Sequence, residues 1–253
     1  MAANTTPVTL TPITKQLHLT FTGDKVTLPD DLQQQAEENW QKRLQASPRL
    51  FNGEAFTVTK FDETESDINV ELAETDYKHV MLSEATDLGE YAFRVIHAAT
   101  LVITGDNKLV FGEMNSHTAR AGIISCSGGG IDRGDLRGNA VDMDYSAAHE
   151  VREELGLDPH DPSTSRFFPA YLKTGGPSGR TTVLYELFTS LSSDEVRKNY
   201  EQFVATLAEK GEDPEYQQIF YLDNTSEAVE KFIKQHEQHL DEYMAALLRI
   251  TAD

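Results

Sequence analysis

The chain has 253 residues, 39% of them apolar, with 42 acidic against 22 basic side chains and a formal net charge of -20. That length and composition predict a soluble globular protein of one large domain, or of a moderate domain with an additional one. So acidic a chain argues against a nucleic-acid partner, no stretch nears the roughly 20 apolar residues that span a bilayer, and the single cysteine, Cys126, excludes an intrachain disulfide.

In chain order, residues 1 to about 15 read as a loosely docked tail, without the apolar run of a secretory leader. Leu17–Phe21 alternates as a strand does. Pro29-Asp30-Asp31 opens a helix, with proline early and acids in the first turn, that runs past Trp40 and Leu44 to Ser47-Pro48. Ala55–Phe61 and Asp67–Ala73 are strands, and a mixed helical or irregular segment leads to Ile96. Residues 1–95 thus read as a small α+β region, and 96–253 as a second, larger domain. There, Ala98–Thr104 is a buried strand, and Gly105-Asp106-Asn107 turns it back into a partner strand at Lys108–Gly112. Gly122–Cys126 is a further strand, with Cys126 expected to be buried and inert. After a helix ending at Leu155, strands are expected over Arg166–Lys173, Thr181–Leu191 and Gln217–Leu222. A helix capped by Ser192 or Ser193 and one or two helices over Thr225–Thr251 complete the chain. Trp40, Leu44 and Phe51 are expected as core or interdomain anchors.

Gly128 to Leu157 carries the chemistry: three glycines, a long polar loop, then a helix. Glu150, Glu153 and Glu154 stand at i, i+3 and i+4, so they share one helical face. Ala147, Val151 and Leu155 form the adjacent apolar stripe, and Gly156 ends the helix. A carboxylate cluster beside a buried stripe suits a hard divalent cation, which takes oxygen ligands and is often shared with substrate phosphates. A solvated acidic face is the alternative. The successive glycines let backbone approach a ligand closely, while neither the P-loop nor the dinucleotide-binding pattern is present. Arg180, in the loop GGPSGR, is either a phosphate clamp or a solvated turn residue. Asp135 is a further acid that could join the site.

Gly129, Asp135 and His149-Glu150-Val151-Arg152-Glu153-Glu154-Leu155-Gly156-Leu157 together resemble the signature of the Nudix hydrolase superfamily. In that signature a glycine, five residues, an acid and seven residues precede Arg-Glu-apolar-x-Glu-Glu-x-Gly-apolar. Two departures stand out: His149 replaces the arginine, and thirteen residues separate Asp135 from His149, a six-residue insertion. Outside the signature, Trp40-x-x-Arg43-Leu44, Pro48-x-Leu50-Phe51, Thr75-x-Tyr77, Gly179-Arg180 and Val196-Arg197-Lys198-x-Tyr200 occur in the order found in the branch that hydrolyses UDP-glucose and UDP-galactose. That branch also lacks the arginine.

The resemblance implies an α/β/α sandwich with a mixed sheet, plus the smaller N-terminal α+β region contributing to the substrate pocket. It implies Glu150, Glu153 and Glu154 as catalytic Mg²⁺ ligands, with Mn²⁺ able to substitute. Gly129, Gly130 and Arg180 would meet the substrate phosphates, Tyr77 the uracil or sugar, and Glu186 would stand where some members of the family place an additional acid. The implied reaction is hydrolysis of a nucleoside diphosphate sugar, UDP-glucose or UDP-galactose, to UMP and a sugar 1-phosphate, and the lone cysteine fits a cytoplasmic setting. Cleavage of ADP-ribose or another dinucleotide, and a catalytically silent nucleotide-binding module, are the competing expectations. The acidic surface suits a monomer or a dimer alike.

Overall fold

The alternating stretches fold into strands longer than their sequence signal. The computed structural model describes residues 6–46, 50–118 and 120–252. Its elements in the N-terminal third are β1 (Thr9–Pro12), β2 (Gln16–Lys25), α1 (Asp30–Ala46), β3 (Glu54–Glu63), β4 (Asp67–Asp76) and α2 (Tyr77–Ala85). There follow β5 (Ile96–Ile103), β6 (Lys108–Met114), β7 (Ile124–Ser125), β8 (Leu136–Arg137), β9 (Ala140–Val141) and α3 (Met143–Leu155). The chain ends with β10 (Ser165–Thr174), β11 (Thr181–Thr189), α4 (Ser193–Lys210), β12 (Tyr216–Asp223), α5 (Ser226–His236) and α6 (Met244–Thr251).

Two mixed sheets result. The larger has the order β1-β10-β11-β5-β6-β12, with β7 paired to β6. Only β11 and β5 run parallel in it, joined in register from Thr181↔Ile96 to Phe188↔Ile103. The smaller has the order β3-β4-β2-β9-β8, with β2 and β4 parallel. Strand alternation sends β5 side chains to opposite faces. Ala99, Leu101 and Ile103 pack with Val229, Phe232, Met244 and Leu247 of α5 and α6. On the other face Ala98 packs with Ala147 of α3 and with Leu19, Val70 and Leu72 of the smaller sheet, while Val102 meets Val151, Leu155 and Val196 of α4. The large sheet therefore lies between two helical layers, an α/β/α sandwich. No described helix is long and apolar enough to cross a membrane.

Three expectations change. Of the tail, residues 1–5 lie outside the described residues, as does Pro48. Thr9–Pro12 is not loose but pairs with Thr174–Tyr171 of β10, an edge that only the folded sheet presents. Phe51, expected as an anchor, stands 81% exposed in the loop before β3, whereas Trp40 is buried. The strand read at Gly122–Cys126 shrinks to Ile124–Ser125, because the chain leaves β6 there and crosses to β5, bridging Thr100 through Ser127 and His97 through Gly130.

Candidate active site

The glycines occupy the gap between β5 and β6, where the backbone itself is the ladder partner. Ala98 N–H donates to Gly129 O at 3.3 Å and Thr100 N–H to Ser127 O at 2.6 Å. Close backbone approach requires glycine at Gly128. A Cβ on Gly128 would collide with Ala98 O, and one on Gly129 would collide with Glu150 Oε1. A Cβ on Gly130 would meet open space.

Helix α3 brings the glutamates to this segment. Asp142 caps its N-terminus by accepting from Tyr145 N–H at 2.9 Å, and Gly156 closes it at φ 66°, the left-handed conformation that glycine adopts without strain. Ala147, Val151 and Leu155 are buried, as their spacing predicts. Glu154 is drawn in beside them, only 2% exposed. Its Oε2 accepts from Gly128 N–H at 3.0 Å and from Tyr216 O–H at 2.9 Å. Burial, reinforced by the negative charge of Glu150, holds its carboxyl well above the ordinary range. Glu150 is pushed up to about 7, first by burial and then by Glu215, Glu153, Asp135 and Asp132. Charges of one sign have been gathered there against their mutual repulsion.

Glu153 lies on the outer side of the helix. It is exposed and 3.3 Å from His149 Nε2, close enough to Glu150 to raise its pKa. Asp135 is buried in the loop before α3, where it accepts from Asp132 N–H at 2.9 Å, and burial raises its pKa. Among the described residues, no three His, Cys, Asp or Glu side chains converge on one point as a finished metal-ligand set.

The other sequence-derived candidates sit elsewhere. Arg180 donates to Ser178 Oγ at 3.0 Å and lies 3.7 Å from buried Asp241, which Arg120 also meets at 2.7 Å. Tyr77 stands edge-on to Trp40 at the contact of α1 with α2. Glu186 shares the β11 face of Leu184 and Phe188, toward α5 and α6, and so lies across the sheet from Glu154. A cleft of about 560 Å³ opens where β2 and β4 end, with Lys25, Gln33, Asp76 and Lys78 among its lining. None of the three glutamates lines it. Lys25 pairs with Glu74, and Glu74 with Arg133 at 2.7 Å, which ties the cleft to the loop after the glycines.

Sequence reasoning missed Glu215 and Tyr216. Glu215 is one acid in the acidic tract Gly211–Tyr216, and nothing local distinguishes it. Tyr216, paired with Met114 of β6, fits because Gly112 on the same strand leaves room for its ring.

The arrangement can accept a proton near neutral pH at Glu150. It can also offer several carboxylate oxygens to a hard cation.

No protein-family model matches the chain, and no curated protein matches it. Among solved structures, DR0079 from Deinococcus radiodurans superposes with a TM-score of 0.42 at 13% identity, covering 63% of this chain and 83% of that one. An Ap4A hydrolase from C. elegans gives 0.35 at 15% identity, over 61% and 93%. A MutT protein from Methanosarcina mazei gives 0.34 at 13%, over 62% and 92%. Overlaps of this size carry no argument about function, so the site's own geometry has to supply it.

Proposed function

We propose that this chain is a Mg²⁺-dependent pyrophosphatase of the Nudix type that hydrolyses the phosphoanhydride of a nucleoside diphosphate sugar. UDP-glucose or UDP-galactose is the substrate of choice, giving UMP and a sugar 1-phosphate. One observation carries the reading. Glu150 and Glu154 are brought together against a side-chain-free stretch of backbone, with further acids around them raising both pKa values. An uncompensated carboxylate cluster in a folded core is costly, and a divalent cation removes that cost.

The donor chemistry, carboxylate oxygens on one helix, suits such an ion, although the three glutamates do not yet converge on one point. Glu150, Glu153 and Glu154 would hold it, with Glu154 fixed in place by Gly128 N–H and Tyr216 O–H. A bound divalent cation would supply charge neutralisation on the diphosphate and would lower the pKa of a water nucleophile. Glu150, packed against the glycine segment, is the group we assign to orient or deprotonate the attacking water. Gly130, where a Cβ would meet open space, is the position at which the backbone could approach phosphate oxygens, while Gly129 makes room for the Glu150 carboxylate. The cleft beside Lys25 and Lys78, linked to the glycine loop through Glu74 and Arg133, is the place we assign to the sugar or base. This is the contribution of residues 1–95.

A catalytically silent nucleotide-binding module is the second reading, favoured by the outward position of Glu153. Incubation of the protein with Mg²⁺ and a panel of UDP-sugars, ADP-ribose and dinucleotides separates the two. Release of UMP from UDP-glucose or UDP-galactose is the expected result. Turnover of ADP-ribose alone would overturn the substrate, and turnover of none would favour the silent module.

A further inference from the structure

Tyr145, His149 and Glu153 stand at i, i+4 and i+8 on α3, one stripe along its outer side. The stripe is continued beyond the helix by Arg137, from the β8–β9 hairpin. The Arg137 guanidinium lies 4.2 Å from the centre of the Tyr145 ring. Tyr145 and His149 are stacked, with ring centres 5.6 Å apart and planes 12° from parallel. His149 Nε2 reaches Glu153 Oε1 at 3.3 Å. Arg137 is itself held, because its Nη1 donates to Gly134 O at 2.8 Å and to Leu136 O at 3.1 Å. The hairpin is held in turn by the smaller sheet, where Phe21 N–H donates to Asn139 O at 2.7 Å. Arg152, the arginine within the signature segment, cannot take this role. It is engaged with Asp158 at 2.8 and 3.1 Å.

We propose that the stack Arg137–Tyr145–His149 is a positioning device for Glu153, supplied by the hairpin that lengthens the loop. This rests on the reading of Glu150, Glu153 and Glu154 as cation ligands. An exposed imidazole and carboxylate one turn apart constrain each other little, since both side chains rotate freely in water. Stacked on Tyr145, and with Tyr145 in turn under Arg137, the imidazole has lost that freedom before it meets the carboxylate. The two departures from the family signature, the insertion and His149, are then one change. The inserted hairpin fixes the ring that stands where an arginine would be.

Mn²⁺ binding to the full chain without substrate, followed by the electron paramagnetic resonance of free Mn²⁺, tests this directly. Tyr145→Ala should loosen Mn²⁺ by about tenfold, as removing a group that orients a metal ligand does. Tyr145→Phe keeps the stack and should bind like wild type, whereas Arg137→Ala, at an exposed position, should weaken binding in the same direction as Tyr145→Ala. In a Glu153→Gln background Tyr145→Ala should have no further effect. Wild type binding Mn²⁺ with Tyr145→Ala and Arg137→Ala unchanged would overturn the positioning role alone. So would a loss that persists undiminished in Glu153→Gln. If wild type binds no Mn²⁺, the cation reading falls and the positioning role with it.

Discussion

Glu150 illustrates how one side chain couples stability to chemistry. Folded, its pKa is about 7, against an ordinary value of 4.5. Between those values the folded chain keeps a proton that the unfolded chain has released, so stability falls as pH rises from 4.5 through 7. Glu150→Gln cannot ionise and should therefore stabilise the metal-free protein at pH 8, by on the order of 3 kcal/mol. The gap should narrow as pH approaches 4.5. Urea unfolding in a chelator at pH 8 and pH 5 reads both, and an advantage that grows on acidification would contradict the assignment. Glu154→Gln should keep the hydrogen bonds from Gly128 and Tyr216, because its amide oxygen still accepts. Initial rates with Mg²⁺ should nevertheless fall roughly a hundredfold, because an amide replaces a charged metal ligand.

At the scale of elements, the loop between the glycines and α3 is held from outside. Arg133 pairs with Glu54 and with Glu74 and lies over the rings of Phe21 and Phe56, at 5.6 and 6.0 Å. Every one of those partners belongs to the smaller sheet. Arg133→Ala should leave global unfolding nearly unchanged, since the guanidinium is exposed. Amide hydrogen exchange should speed up across Asp132–Val141 and at Phe21, where the hairpin bonds to β2. Unaltered exchange there would show that backbone pairing alone holds the loop. The helix itself was legible from its periodicity, its αL glycine and its acidic face. The hairpin was not, because β8 and β9 are two residues each and exist only through pairing with each other and with Thr20 of β2.

At the scale of the whole molecule, the two sheets share one apolar cluster. Leu19, Ile68, Val70 and Leu72 of the smaller sheet pack with Ala98, Ala147 and Val183 of the larger. We therefore expect residues 1–95 and 96–253 to unfold together. Trp40, the one tryptophan, reports the N-terminal region by fluorescence, while far-UV circular dichroism reports both. The two transitions should coincide. Leu72→Ala, at a site 1% exposed, should lower both midpoints together at a cost of about 2–5 kcal/mol. A fluorescence transition that precedes the circular dichroism change would show two independently stable units.

Local pattern determined much of this protein. Alternation set the strands at 17–21 and 55–61, a nearly continuous apolar run set the one at 98–104, and helical spacing put Glu150, Glu153 and Glu154 on one helix beside a buried stripe. The alternation and the helical spacing are short-range periodicities that the backbone imposes residue by residue. Tertiary structure alone decided the rest. It buried Glu154 and left Glu153 in solvent, although the two are adjacent in sequence. It brought Glu215 and Tyr216 to the glutamates across more than 60 residues, as the 62-residue separation of Tyr216 from Glu154 shows. It placed Arg180 with Ser178 and Asp241, and Tyr77 against Trp40. Burial and electrostatic coupling depend on what the folded sheet stacks against each side chain, and no spacing along the chain encodes that.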